Sequence, residues 1–249
     1  MGARLATMAE TSAFIRYGRA CFKHRGLMFP AAVLLILIPS PPLHGNAVAT
    51  SALGLAIALF GQGIRIGTIG LEYIIRGGKD RNVFAEKLVT GGLYSHVRNP
   101  MYFGNAFLLL GLAVASNSWV FLVGGIALGI AVHVGIIGAE EHFLRGKFGA
   151  DYEKFCRDVP RLIPRLAGLG RTFRAADRFN WGRVIDKEFM QPVDWTSAAA
   201  LASLVALWRA GQLRDSTPLL VLIGAIILTR LVLWRVQRSR SVARVPAAS

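Results

Sequence analysis

The sequence predicts an all-α protein, a polytopic transmembrane bundle of about five to six helices. The first observation is composition: 53% of the 249 residues are hydrophobic and 17% are charged, with a mean hydropathy of +0.46. This is too apolar for a soluble domain of this length. The second observation is that the apolar residues form blocks, several of them shorter than the roughly 20 residues that span a bilayer upright. The blocks cover about 27–43, 47–66, 101–116, 118–139, 196–210 and 218–234.

The distribution of Lys and Arg predicts the orientation in the membrane. Of the 29 basic residues, 27 lie at the two termini and in alternate connections. Basic residues mark cytosolic segments, so both termini are expected in the cytosol, with an even number of spans, six. The net charge of +15 is carried between apolar blocks, so anionic lipid head groups are an expected partner and nucleic acid is not. The basic segments are 1–26, 64–100, 140–195 and 230–249, and the exceptions are Arg209 and Arg214.

The cysteines and histidines predict neither a disulfide nor a metal site. Cys21 and Cys156 are far apart in basic segments and are expected to be reduced thiols. His133 falls within an apolar block, where a histidine commonly contacts a neighbouring helix. Neither His96 nor His142 is accompanied by a metal-ligand spacing, so no metal is expected.

Small residues in the second apolar block predict a close helix contact. Gly61, Gly63 and Gly67 lie at a spacing that favours packing of two helices before nucleotide binding. Arg65 is expected to end this span and to extend its side chain to the aqueous boundary. Gln62 is a candidate to face a cavity.

The segment 92–104 places polar, aromatic and cationic residues at a membrane boundary. Pro100 is expected to begin a helix, whose first N–H groups and positive dipole end suit a carboxylate. Tyr94 and Tyr102 can form walls for a planar ring or a cation, and Arg98 supplies a forked positive charge. Alternatively, the aromatic and basic side chains only anchor a helix end, and Gly92 only permits a turn.

A second polar group, Glu140-Glu141-His142, closes the fourth apolar block. Carboxylates are unfavourable there unless they meet a cation or water. Consecutive residues of a helix point about 100° apart, so the two glutamates need not share a role. One can face a cationic ligand while the other caps a helix or pairs with an arginine, or both can be surface charges.

The long polar stretch from residue 142 to residue 195 divides into two parts. Its first part is expected to be helical, with one apolar face. Cationic residues then alternate with aromatic ones over 166–195, which predicts an amphipathic segment in the head-group plane, with a solvated loop as the alternative. The shared helical face contains Glu141, Leu144, Phe148, Tyr152 and Phe155.

Taken together, these motifs resemble a known family in order and spacing. The family is that of integral membrane methyltransferases, which includes isoprenylcysteine carboxyl methyltransferase and phospholipid methyltransferase-like proteins. Its histidine after the motif arginine is Asn99 in this chain. The matching motifs are Gly92-Leu93-Tyr94, Arg98-Asn99-Pro100-Met101-Tyr102-Phe103-Gly104, Glu140-Glu141, Phe148-Gly149-Ala150-Asp151-Tyr152 and Arg161-Leu162-Ile163-Pro164.

The resemblance implies an S-adenosyl-L-methionine site at the cytosolic face and a lipophilic acceptor that enters from the bilayer. The residues expected to act in catalysis are Arg98, Tyr102 and Glu141. Glu140 or Glu141 would meet the cofactor ammonium, and Tyr102 would line the path of the methyl group. The expected cofactor-binding residues are Gly92, Leu93, Tyr94, His96, Asn99, Pro100, Tyr102, Glu140 and Glu141.

The resemblance also divides the chain and leaves two alternative functions. The alternatives are a membrane reductase that uses NADPH on a sterol-like lipid, and an inactive protein that keeps the fold, which the Asn99 departure favours. The Ala-, Arg- and Gly-rich composition is typical of a bacterial inner-membrane protein. The expected units are a basic segment with the first span (1–46), the methyltransferase core (47–165), the amphipathic connector (166–195), and two further spans with a basic tail (196–249).

Overall fold

The computed structural model describes residues 12–72, 83–174, 179–188 and 195–243, and all regular elements in these ranges are helical. Six longer helices correspond to the six predicted apolar blocks, and two short helices form the connector. Short 3₁₀ turns occupy Leu34–Leu37, Gly92–Ser95 and Arg214–Ser216, and a π turn occupies Phe121–Gly125. The helices are α1 (Ala13–Val33), α2 (Ala47–Leu71), α3 (Pro100–Ala115), α4 (Ile126–Asp158), α5 (Leu169–Arg174), α6 (Trp181–Glu188), α7 (Trp195–Arg209) and α8 (Thr217–Ala243).

Among the residues that the structure describes, three helices are long and apolar enough to cross a membrane, and the number rises to four if the bent first helix is one span. The bend of 51° falls between Phe29 and Ala31, where Pro30 removes a helical hydrogen bond. Both α3, with 16 residues, and α7, with 15, are apolar but shorter. The all-α class is therefore confirmed, whereas the count of six spans stays a prediction.

Helix α1 begins earlier than the apolar block at 27–43 predicts. Residues 13–26 form helix, and Ile15, Cys21 and Phe22 are buried. A Cβ atom on Gly18 would collide with the carbonyl oxygen of Gly135, so this half of α1 lies directly against α4. The burial follows from apolar positions three and four residues apart, among which the basic residues occupy the exposed face.

Helices α2 and α3 pack through small residues. Asn46 begins α2, and its side-chain oxygen accepts a hydrogen bond from the Ala49 N–H at 3.0 Å. A Cβ atom on Gly61 would lie 2.7 Å from the Gly104 carbonyl oxygen, which confirms Gly61 as a close contact. Gly63, in contrast, would have nothing within 4 Å of a Cβ atom. The contact continues with α7 and α8 into one apolar core that includes Leu55, Leu108, Leu112, Leu207 and Ile223.

Residues 116–118 connect α3 to the short helical segment that leads into the π turn before α4. Asn117 adopts a φ of +48°, and Trp119 is half exposed. Although the two helices are consecutive, α3 packs mainly on α2 and α4 mainly on α1. Helix α4 continues past Glu140 and Glu141 and bends at Gly149, whose φ of +49° favours glycine.

The connector folds over the carboxyl end of α2. The Asn180 N–H donates to the Gly70 carbonyl at 2.9 Å, and Arg183 Nη1 donates to the Ile69 carbonyl at 3.2 Å. These donors satisfy carbonyl groups that the last turn of a helix leaves without intrahelical partners. On α6, Trp181 is exposed whereas Val184 and Glu188 are buried. Part of the predicted amphipathic segment, 175–178 and 189–194, lies outside the described residues.

Candidate functional site

Two of the motif segments are bonded side by side. The Arg98 N–H donates to the Pro160 carbonyl at 2.8 Å, and the Arg165 N–H donates to the His96 carbonyl at 3.0 Å. The His96 ring contacts the Arg165 carbonyl through Nδ1 at 2.9 Å and the Thr172 hydroxyl through Nε2 at 2.8 Å. His96 is thus 6% exposed and holds the motif loop against the segment that leads into the connector.

The glycine motif, Gly92-Leu93-Tyr94, forms a turn against the carboxyl end of α2. Gly92 has a φ of +56°, and a Cβ atom there would lie 2.9 Å from Glu72 Cβ, so the position requires glycine. Leu93 and Tyr94 are buried, and Tyr94 packs with Leu144, Tyr152 and other apolar side chains in one cluster. This packing gives Tyr94 a structural role, and its predicted role as a wall of a ligand site stays a prediction.

Asn99 and Pro100 begin α3 as the sequence predicts. Pro100 occupies the first turn, and the Asn99 side chain makes no hydrogen bond to the N–H groups of that turn. Instead, Asn99 Nδ2 donates to the Arg161 carbonyl at 3.2 Å, and Asn99 is 3% exposed. The residue that departs from the family pattern therefore bonds the helix start to the motif that follows α4.

Glu141 is the centre of an arginine cluster. Its Oε1 lies 3.0 Å from Arg161 Nε and 3.5 Å from Arg98 Nη1, and its Oε2 lies 3.9 Å from Arg145 Nη2. Arg98 Nη1 also donates to the Cys156 sulfur at 2.8 Å. The side chains of Glu141 and Arg98 are 6% and 13% exposed, whereas those of Arg145 and Arg161 are about half exposed. Glu141 thus pairs with arginines, which is one of the roles that the sequence left open for the two glutamates.

Glu140 contacts a different part of the motif. The Tyr102 hydroxyl donates to Glu140 Oε1 at 3.0 Å, and Glu140 is 4% exposed. The neighbouring glutamates thus have separate partners, as their angular separation on a helix predicts. Tyr102 also packs against the apolar cluster of Cys21, Phe22, Val132 and Ile136.

A cavity of about 230 Å³ lies between α1 and α4. Two of its lining residues, Phe22 and Val83, belong to or pack on the cluster that also contacts Tyr102. The lining is apolar apart from one cation: Arg19, Phe22, Val83, Ala139 and Phe143.

A chain of polar side chains inside the bundle was not predicted from the sequence. Arg65, expected to extend to water, has a side chain only 19% exposed and pairs with Glu188 on α6 at 2.6 Å. Arg65 also donates to Asn105, and Asn105 contacts His133 at 3.2 Å. The prediction that the Arg65 side chain extends to water was wrong. Helix α2 continues to Leu71, and the connector places the Glu188 carboxylate beside Arg65. No local pattern marks Glu188, although the polar Gln62 and Arg65 within an apolar helix were a signal that a buried partner exists.

The expected absence of a metal centre stays a prediction. Within the described ranges, no group of three or more His, Cys, Asp or Glu side chains is placed to hold a metal ion. Cys21 and Cys156 are free thiols, as expected. His133 contacts neighbouring helices, also as expected, because its ring lies 5.1 Å from that of Phe29.

Two known proteins are similar to part of the chain. The cobalt-zinc-cadmium resistance protein CzcN of Cupriavidus metallidurans is 27% identical over 148 residues, which cover 58% of this chain and 66% of that protein. The nickel-cobalt-cadmium resistance protein NccN of Alcaligenes xylosoxydans xylosoxydans is 28% identical over 149 residues, which cover 58% of this chain and 67% of that protein. The chain thus spans about two thirds of the length of these relatives. No solved structure matches the chain.

The family model for phospholipid methyltransferases matches residues 49–151. This range contains the glycine motif, the start of α3, both glutamates and most of α4. It does not contain α1 or the connector. The match confirms the resemblance found in the motifs: residues 49–151 of this chain are similar to the phospholipid methyltransferases.

Proposed function

We propose that the protein is an integral membrane methyltransferase that uses S-adenosyl-L-methionine and acts on a lipid-like, membrane-embedded acceptor, in the manner of an isoprenylcysteine carboxyl methyltransferase. The observation that carries this proposal is the family match over the segment that holds the buried Tyr102–Glu140 pair. The family match supports methyltransferase activity in general, and the cofactor and the acceptor are the finer parts of the proposal.

The residues present suit this cofactor. Glu140 is a buried carboxylate that can face an ammonium group, and the first-turn N–H groups of α3, which Asn99 does not cap, can face a carboxylate. Arg98 Nε is buried without a hydrogen-bond acceptor among the described residues, so a bound acidic group would satisfy it. The cofactor supplies an activated methyl group. The remaining predicted residues, including Gly92, Leu93 and His96, would shape the loop around it.

The protein side of the reaction is mainly positioning. Methyl transfer proceeds by in-line displacement, which requires that two reacting groups be held in contact and in line. Tyr102, held by Glu140, would line the path of the methyl group. Arg98 and Glu141, which hold each other, would support the site by fixing the motif loop against α4.

The cavity between α1 and α4 suits the acceptor. Its phenylalanine and valine walls can hold an apolar body, and Arg19 can face an acidic group of the same molecule. The preference for basic residues in alternate connections supports a cytosolic site with both termini in the cytosol. We propose the inner membrane of a bacterium as the location, with anionic lipid head groups against the basic connections.

Ligand-induced stabilisation of the purified full chain in detergent tests the cofactor. A ligand that binds only the folded protein raises the melting temperature, by about 5 to 10 °C at about 100 times the dissociation constant. We expect this shift with S-adenosyl-L-methionine and with its demethylated product, and none with NADPH. A shift with NADPH alone would favour the reductase, and no shift with any of the three would favour the inactive protein.

Labelling tests the acceptor. Membranes that contain the protein are incubated with a radioactive methyl donor and extracted with organic solvent. We expect label in the extracted lipid fraction, and less of it from membranes that lack the protein. Label confined to water-soluble products would contradict a lipophilic acceptor.

A further inference from the structure

A buried series of polar side chains begins at Glu188 and continues into the bundle. Glu188 lies outside the residues 49–151 that the family model matches. The Glu188 side chain is 4% exposed, and Arg65 binds it with two nitrogens: Nε to Oε1 at 2.6 Å and Nη2 to Oε2 at 2.8 Å. Gln62 Nε2 donates to the same Oε1 at 2.8 Å. This forked arrangement fixes the orientation of the Arg65 guanidinium and the position of its charge.

The same guanidinium holds the beginning of α3. Its remaining terminal nitrogen donates to Asn105 Oδ1. The stem of Arg65 lies over Gly104, where a Cβ atom would be 2.8 Å from Arg65 Cγ. Arg65 therefore contacts the two residues that lie one turn beyond the start of α3, directly after Tyr102 and Phe103.

The chain continues from Asn105 to the ring beside Tyr102. Because Asn105 Oδ1 accepts from Arg65, its Nδ2 is the donor to His133 Nε2 at 3.2 Å. The His133 proton then lies on Nδ1, which donates to the Gly129 carbonyl at 2.7 Å. The oriented His133 ring meets the Tyr102 ring edge to face, with 5.6 Å between centroids.

His133 and Glu140 are both contacts of Tyr102 and lie on one face of α4. Seven residues separate them, which is about two helical turns. Tyr102 is therefore held between a ring oriented by the polar chain and the carboxylate of the candidate site. A change at Arg65 or Glu188 would be transmitted to Tyr102 through α3 and through His133.

We propose that Arg65 and Glu188 are positioning residues that set the orientation of Tyr102, and with it Glu140, for the methyl transfer proposed above. The inference rests on that proposed function for its kinetic consequence only. Its structural consequence is that helix α6, which lies outside the residues 49–151 that the family model matches, completes the candidate site. The alternative is that the pair is a brace that only attaches α6 to the bundle.

Two substitutions and one control separate these possibilities. Arg65→Lys keeps a cation beside Glu188 but cannot fork between Glu188 and Asn105. Glu188→Gln keeps the shape and removes the charge. The control is Gln212→Ala, which removes the contacts of Gln212 with the Ala47 N–H at 2.9 Å and the Gly45 carbonyl at 3.1 Å, at the other end of α2.

Amide hydrogen exchange of the full chain in detergent tests the structural part without any ligand. In Arg65→Lys and Glu188→Gln we expect exchange of the amides of residues 99–106 to accelerate by about tenfold or more, because local opening of this segment becomes easier. In Gln212→Ala these amides should exchange as in the wild type, while the melting temperature falls. Unchanged exchange at 99–106 in both site variants would overturn the proposal.

Kinetics with the labelled methyl donor test the consequence. We expect kcat per folded molecule to fall about tenfold in Arg65→Lys and to stay at the wild-type level in Gln212→Ala, since misplacement of a positioned group lowers the rate without unfolding. If Arg65→Lys keeps the wild-type kcat, the pair only attaches α6 to the bundle, and the proposed positioning role is overturned. If the wild type neither binds nor uses the methyl donor, the proposed function fails, and the exchange result still decides whether Arg65 and Glu188 position Tyr102.

Discussion

Tyr102 donates a hydrogen bond to Glu140 at 3.0 Å, from the first turn of α3 to the side of α4. The next residue, Glu141, is directed to arginines instead and accepts from Arg161 at 3.0 Å. The two glutamates of the motif thus divide into one that accepts from a tyrosine and one that pairs with a cluster of arginines. Different consequences are expected when each is changed.

Glu140→Gln should weaken binding of the methyl donor and leave the fold intact. Glutamine keeps the shape and can still accept from Tyr102, but it lacks the charge that faces an ammonium group. We expect affinity for S-adenosyl-L-methionine to fall by about tenfold or more, or about 1.4 kcal/mol, measured by calorimetry in detergent. The control is Glu153→Gln, an exposed glutamate on the same helix. Equal affinities in the wild type and Glu140→Gln would remove Glu140 from the site.

Glu141→Gln should instead lower stability. The arginines Arg145 and Arg161 can turn to water, but Arg98 is 13% exposed and would lose its carboxylate. We expect the free energy of unfolding to fall by about 1–3 kcal/mol, less than for a fully buried pair. A double-mutant cycle with Arg98→Met tests the cause, because the double variant should be less destabilised than the sum of the single ones. Additive effects would show that the two side chains are not coupled.

The elements that could be predicted from the sequence are those with local signals. Pro100 marked the start of α3, and the end of the apolar block 101–116 marked the end of that helix. The apolar face of the second half of α4 followed from spacing, and Leu144, Tyr152 and Phe155 are all buried. The joint order of the motifs also pointed to the family, because several weak patterns in one order are more specific than any of them alone.

The parts that could not be predicted depend on contacts between distant residues. Arg65 and Glu188 are 123 positions apart, and Glu188 lies in a segment whose charge and aromatic pattern favoured a surface location. The early start of α1 was hidden because its basic residues lie on the exposed face of a helix whose other face is buried. Composition averages over both faces, whereas burial depends on which of them meets α4.

Substitution of Tyr94 is expected to change the stability of the fold as well as ligand binding. Its side chain is 2% exposed within an apolar cluster, so Tyr94→Ala should lower the free energy of unfolding by about 3–5 kcal/mol. Tyr94→Phe keeps the ring and should retain most of the stability, which thermal unfolding in detergent would measure. Tyr94→Phe therefore reports on ligand binding free of a packing defect. A small effect of Tyr94→Ala on the melting temperature would contradict the packing seen here.

Asn99 is the departure from the family pattern, and its contact predicts which substitutions it tolerates. Asn99 Nδ2 donates to the Arg161 carbonyl at 3.2 Å, so a residue with an N–H donor can replace it whereas an apolar one cannot. We expect Asn99→Leu to lose about 0.5–1.5 kcal/mol of stability, because the hydrogen bond to the Arg161 carbonyl is lost, and Asn99→His to lose less. Thermal unfolding of both variants measures this difference, and calorimetry with S-adenosyl-L-methionine on Asn99→His shows whether the family residue also supports binding. If Asn99→Leu is as stable as the wild type, the bond between the start of α3 and the Arg161 segment does not contribute to holding the two motifs together.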